Sequence, residues 1–190
     1  VILETLVTTL DREGRPNCAP MGVVWGDAEI VLKPYRETTT FRNLQAHPEA
    51  VVNLVDDVGY YVQAALSSPT FPSGPAAVVR GVVLEAACSW RELRVRESDV
   101  SEARARFACD VVHRASRREF VGYNRARNAV LEATILATRT RILPIDEILA
   151  EYARLQVIVD KTAGPAERDA MGLLAAFVAR EAAATKGESR

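Results

Sequence analysis

The apolar residues of this chain keep one period up to about residue 115 and another after it, and that change limits the architectures open to it. Residues 2–9, 17–25, 28–33 and 50–55 are short β-rich runs, separated by the polar clusters 11–16 and Gly26-Asp27. Residues 78–90 read as a longer β-rich run with Gly81 as its bulge, whereas 67–75, dense in Pro, Ser and Gly, reads as loop. From 104 to 113, Phe107, Cys109 and Val111 alternate with Arg106, Ala108 and Asp110, the pattern of a half-buried antiparallel strand. From Tyr123 the spacing becomes helical: Ala126, Ala129, Val130, Ala133, Leu136 and Ala137 form one stripe. Ile145, Ile148, Leu149, Tyr152 and Leu155 form a second, and Met171, Leu174, Phe177 and Val178 a third. Strands first and helices later predict an α+β chain, with a β-barrel over 1–118 and a helical subdomain over 119–190. The period of 58–66 does not choose between helix and loop.

Composition removes several function classes. The formal net charge of −1 gives no global field toward nucleic acid or anionic lipid. Three scattered cysteines and two histidines argue against a disulfide framework and a zinc or multi-histidine centre. No apolar run approaches the ~18 residues of a membrane span, and residues 1–10 alternate like a strand rather than a signal peptide, so a cytoplasmic protein is expected. Neither histidine sits in a nucleophile elbow, and G-x-G-x-x-G and P-loop motifs are absent. The arginine-rich segment 104–127 also holds Glu102 at its edge, Asp110 and Glu119, without interleaved aromatics; it reads as strand surface rather than a nucleic-acid stripe.

Two stretches carry chemistry. Thr38, Thr39 and Thr40 stand where a short helix should open, ended by Pro48, with Lys33, Arg36 and Arg42 close by. Hydroxyls, free backbone N–H groups and cations together suit a phosphate ester; the same residues also suit an ordinary helix start. In Asn17-Cys18-Ala19-Pro20-Met21-Gly22, Pro20 lacks an N–H and Gly22 lacks a side chain. That fits either an edge strand with a bulge or a strand that lets a flat ligand approach its backbone.

The order strand, turn, NCAPMGVVW, strand, LKPYRETTTFRNLQAHPEAVVNLVDD resembles the flavin-binding split barrels, which include flavin reductases and pyridoxamine-phosphate oxidases. The likeness is closest to the branch called domain of unknown function 447, whose C-terminal signature FVGYNRARNAVLEATILATR resembles. The resemblance implies a six-stranded Greek-key split barrel that dimerises, with FMN near the subunit interface. By the same resemblance, Thr38, Thr39, Thr40 and Lys33 hold the ribityl phosphate, and Pro20, Met21 and Gly22 lie along the isoalloxazine. Tyr35 lines the ribityl or ring side, with Asn43 on the helix. Threonines stand where the phosphate oxidases carry charged residues after their first hydroxyl, so the substrate half of the site is left open. The implied activity is FMN-dependent oxidoreduction or flavin reduction with NAD(P)H or another small reductant. A non-catalytic FMN or electron carrier is the alternative, and a β-barrel nucleic-acid module a more distant one. No acid or base is nominated, nor roles for Tyr123, Asn124 and Arg125.

Overall fold

Strand β1 (Ile2–Leu10) turns into β2 (Pro16–Val24) through a loop that Asp11 organises. Its carboxylate accepts the backbone N–H groups of Glu13 and Arg15, and Gly14 supplies the positive φ the reversal needs (+83°). Strand β3 (Glu29–Leu32) follows, then helix α1 (Thr39–Ala46) and β4 (Glu49–Leu54). After helix α2 (Val58–Leu66) come the short pair β5 (Ser73–Pro75) and β6 (Val82–Leu84), and the long β7 (Ser89–Asp99) and β8 (Arg106–Ser116). Three helices complete the chain: α3 (Arg125–Ala137), α4 (Ile145–Thr162) and α5 (Pro165–Glu188). The structure, a computed structural model, describes residues 1–188. They fall into two units, Val1–Asp56 with Ser68–Phe120, and Asp57–Ser67 with the chain from Val121.

In the first unit six antiparallel strands close into a barrel in the order β1-β2-β3-β8-β7-β4. Alternation sends Val7, Val23, Ile30, Leu32, Val52, Leu93, Phe107 and Cys109 inward, where they form the core. Helix α1 closes one end: Leu44 is buried there and Phe41 meets the Phe107 ring edge-on at 6.0 Å. The closure is incomplete at one seam. Strand β2 pairs with β1 from end to end but with β3 only at Val24↔Val31. Among the described residues, no strand covers the other edge of residues 16–22.

In the second unit α3 buries Ala126, Ala129, Ala133 and Ala137 along one face. Their small side chains let other helices approach, and the Tyr152 hydroxyl donates to the Ala133 carbonyl at 2.7 Å. Val62, Val130, Ile148, Val159, Met171, Leu174 and Val178 complete this core.

Some expectations need correcting. Residues 78–90 are not one long strand: 76–81 is a loop, only 82–84 form β6, and β7 starts at Ser89. Gly81 lies in that loop, and the irregularities fall instead in the β7–β8 pairing, at Glu92/Leu93 and Val95/Glu97. The expected loop 67–75 ends in strand β5, which pairs with β6. Ala108, expected on the solvent face, is fully buried, small between its larger cross-strand neighbours Val31 and Glu97.

Candidate functional site

Thr38 is the N-cap of α1. Its hydroxyl accepts the Phe41 N–H at 3.3 Å and donates to the Tyr35 carbonyl at 2.7 Å, so both of its roles are local. The Thr38 carbonyl takes the Arg42 N–H. The N–H groups of Thr39 and Thr40 are then the two at this helix start without an intrahelical acceptor. The first turn carries no acidic residue, so the positive end of the helix is not internally neutralised.

The three hydroxyls have different surroundings. Thr40 is buried and accepts from the Asn17 amide at 3.2 Å. Thr39 is exposed, and its hydroxyl accepts from the Arg42 guanidinium at 3.0 Å. Arg42 also donates to the Glu37 carbonyl at 2.7 Å, which folds its charge back over the helix start. Thr39 and Arg42 are therefore exposed beside the N–H groups of the helix start, a donor set with the chemistry of a phosphate site.

The Asn17–Thr40 bond brings the two sequence motifs into contact, because Asn17 begins the uncovered stretch of β2. Strand rise places Gly22 roughly 17 Å from Asn17, about the span of an extended FMN. Met21 turns inward against the barrel core, and its carbonyl accepts the Thr5 hydroxyl at 3.0 Å. Pro20 and Gly22 lie on the outer face, opposite Leu6 and Glu4. A Cβ on Gly22 would come within 2.8 Å of the Glu4 carboxylate and 3.0 Å of Ile2, so close approach accounts for the glycine. Cys18 is no nucleophile here, because burial pushes its thiol up to about 12.

The loop before α1 is pinned from a distance. Tyr35 bridges to Arg104, whose guanidinium lies 5.1 Å from the Tyr35 ring and donates to the Lys33 carbonyl at 3.2 Å. Lys33 and Tyr35 are exposed beside this clamp. Asn43 is buried instead, and its amide donates to the Thr9 hydroxyl at 3.0 Å, so it fixes α1 to β1. Asn17 and Arg104 were not singled out as site residues by sequence reasoning. Asn17 stood inside the quoted motif, whereas nothing near Arg104 in the chain signals its partner 71 residues away. Asn124 caps α3 by accepting the Arg127 N–H at 3.1 Å and donates to the Thr162 carbonyl. Tyr123 is almost wholly exposed.

Family models for a protein of unknown function, DUF447, match residues 3–118 with the N-terminal domain and 124–176 with the second part. The chain belongs to the DUF447 family. The N-terminal DUF447 model spans α2, although that helix packs within the helical unit. Among solved structures, the FMN-bound DUF447 protein MM1853 from Methanosarcina mazei matches with a TM-score of 0.80 at 22% identity, over 93% of this chain and 94% of that one. Flavoredoxin from Methanosarcina acetivorans gives 0.55 at 13% identity, over 64% of this chain and 72% of its own. Nitrilotriacetate monooxygenase component B from Bacillus cereus gives 0.52 at 17%, over 63% and 71%. These likenesses establish a shared split-barrel fold.

Proposed function

We propose that this DUF447 protein is an FMN-binding flavoprotein, a homodimeric FMN-dependent oxidoreductase that takes electrons from NAD(P)H or another small reductant. One observation carries the reading: the Asn17–Thr40 hydrogen bond sets an open helix N-terminus beside the uncovered edge of β2. Thr39, the N–H groups of Thr39 and Thr40, Arg42 and Lys33 hold the phosphate. Thr38 and Thr40 keep the helix start in place, Pro20–Gly22 line the ring with backbone groups toward its polar edge, and Tyr35 stands beside the ribityl chain. The FMN-bound state of MM1853 supports this, as does the flavin in the name of flavoredoxin. Bound FMN would supply the redox chemistry, while these residues anchor and orient it. The division 1–118 for flavin and 119–190 for helices belongs to the same proposal.

Mass spectrometry of the small molecule that co-purifies tests the cofactor, and anaerobic bleaching by NADH or NADPH tests the activity. Thr39→Ala removes one hydrogen bond to a charged group, about 1.5–3 kcal/mol, so FMN affinity should fall roughly ten- to a hundredfold. Riboflavin affinity should change little. Equal losses for both ligands refute the phosphate assignment.

A further inference from the structure

At the barrel end opposite α1, the inward-facing positions past the core are not all apolar. Arg91 pairs with Val52 and Arg114 across the sheet, so it shares the inner face with the Val52 core residue. Trp25 joins that face two residues beyond Val23, and the Arg91 guanidinium lies 5.3 Å from its ring centre. Arg91 also donates to the Trp90 carbonyl at 2.8 Å. Its orientation is thereby set before any ligand arrives.

Direct cross-strand partners have Cβ atoms about 5 Å apart, and like charges there are destabilising. Other arginines on β7 and β8 are compensated. Arg94 meets Glu49, Arg96 meets Glu29 and Asp110, and Arg106 meets Glu97. Among the described residues, no carboxylate lies within ion-pair distance of Arg91 or Arg114. Burial, then the Arg114 charge, lower the pKa of Arg91, and the Asp27 charge only partly offsets them. A half-buried Arg91 beside an exposed Arg114 on the neighbouring strand, with no carboxylate in ion-pair distance, departs from the rule the rest of the sheet follows, and such departures mark binding sites.

We propose that this end of the barrel is a second binding site, where Arg91 and Arg114 grip the oxyanion group of a small organic anion against Trp25. Paired guanidiniums suit both phosphate and carboxylate oxygens. The site is built from residues separate from the α1 start and stands without the FMN proposal.

Calorimetric titration of the whole protein with inorganic pyrophosphate, and in parallel with succinate, tests it at constant ionic strength and with saturating FMN present throughout, so that the α1 start is already filled. Saturable binding of at least one anion is expected, weakened at least tenfold in Arg91→Gln and in Arg114→Gln and unchanged in Thr39→Ala. The anion that binds tells phosphate from carboxylate ligands. Arg114→Gln should keep the wild-type melting temperature, because it removes one of two repelling charges. No saturable binding, binding that survives both arginine variants, or binding lost only in Thr39→Ala would overturn the proposal. So would an Arg114→Gln variant that melts many degrees lower, which would make the pair structural.

Discussion

Glu92 is fully buried, yet among the described residues its carboxylate has no cationic partner. It holds the 76–81 loop by its backbone. One oxygen accepts the Ala77 N–H at 2.8 Å and the Trp90 indole at 3.4 Å; the other accepts Val78 at 2.7 Å and Val79 at 3.0 Å. The next amide, Arg80, donates to Glu49 at 2.8 Å. Four successive N–H groups thus end on carboxylates of two neighbouring strands. In Glu92→Gln one oxygen becomes an NH2 that faces N–H donors, which leaves at least one or two of them unsatisfied. At about 1–3 kcal/mol for each buried donor left unmet, the variant should lose roughly 3 kcal/mol. For a chain of this size that is a fall in melting temperature of about 6–12 °C. Burial raises the Glu92 pKa, but the N–H groups of Ala77, Val79 and Val78 and the indole outweigh it and hold the pKa below the ordinary 4.5. A depressed carboxylate contributes stability that is full above 4.5 and is lost as pH falls toward the folded value. Wild type should therefore lose stability on acidification below that pH more steeply than Glu92→Gln. Tryptophan fluorescence in urea reads this directly, since the two tryptophans, Trp25 and Trp90, both lie in the barrel unit. A variant within 1 kcal/mol of wild type, or an unchanged acid slope, refutes the reasoning.

The remaining predictions are shorter. Asn124→Ala removes the α3 cap and the bond to Thr162; a cap alone contributes about 1 kcal/mol, and the loss should appear in circular-dichroism melts with no change in the tryptophan transition. Cys18 and Cys109 should resist iodoacetamide in the folded protein at pH 8. Burial pushes both thiols to about 12 from an ordinary 9.0, which leaves about a thousandfold less thiolate. Rapid labelling of either in the native state would contradict these raised values. Thr38→Ala should cost stability of about 1 kcal/mol by loss of the cap, whereas Thr39→Ala should leave it nearly unchanged, a difference that thermal melts resolve.

What the sequence left unread has physical causes. Strand β7 escaped recognition because Arg91, Glu92, Arg94, Arg96 and Glu97 dominate it, and two irregularities break its alternation at Glu92/Leu93 and Val95/Glu97. A charged strand with a slipped period carries no clean two-residue signal. Helix α2 was undecided because Val58, Tyr61, Val62 and Ala64 are all buried, so no polar face marks its turns. The helix α1 start and its cap were legible, because Thr38 and Pro48 are local signals. The contact that makes that start interesting was not. Asn17 lies 23 residues from Thr40, and Arg104 lies 71 from Lys33. Spacing within a motif reports on its own helix or strand and says nothing of which distant side chain completes it.

The threonine triplet also shows that an ordinary helix start and a phosphate site need not compete. Thr38 satisfies the third N–H of α1 and Thr40 is tied to Asn17, which fixes the position and direction of the helix end. Those bonds use two hydroxyls that could otherwise have met a ligand. In exchange they hold the N–H groups of Thr39 and Thr40 in a fixed orientation at the positive end of the helix, where an anion is favoured by about 0.3–1 kcal/mol before any hydrogen bond is counted. Arg42 then neutralises the charge from the side, already resting on Thr39. Binding at such a start needs little rearrangement of the protein, so the free energy of the contacts goes into affinity rather than into ordering. The residues that look merely structural at this corner are the ones that make its exposed donors usable.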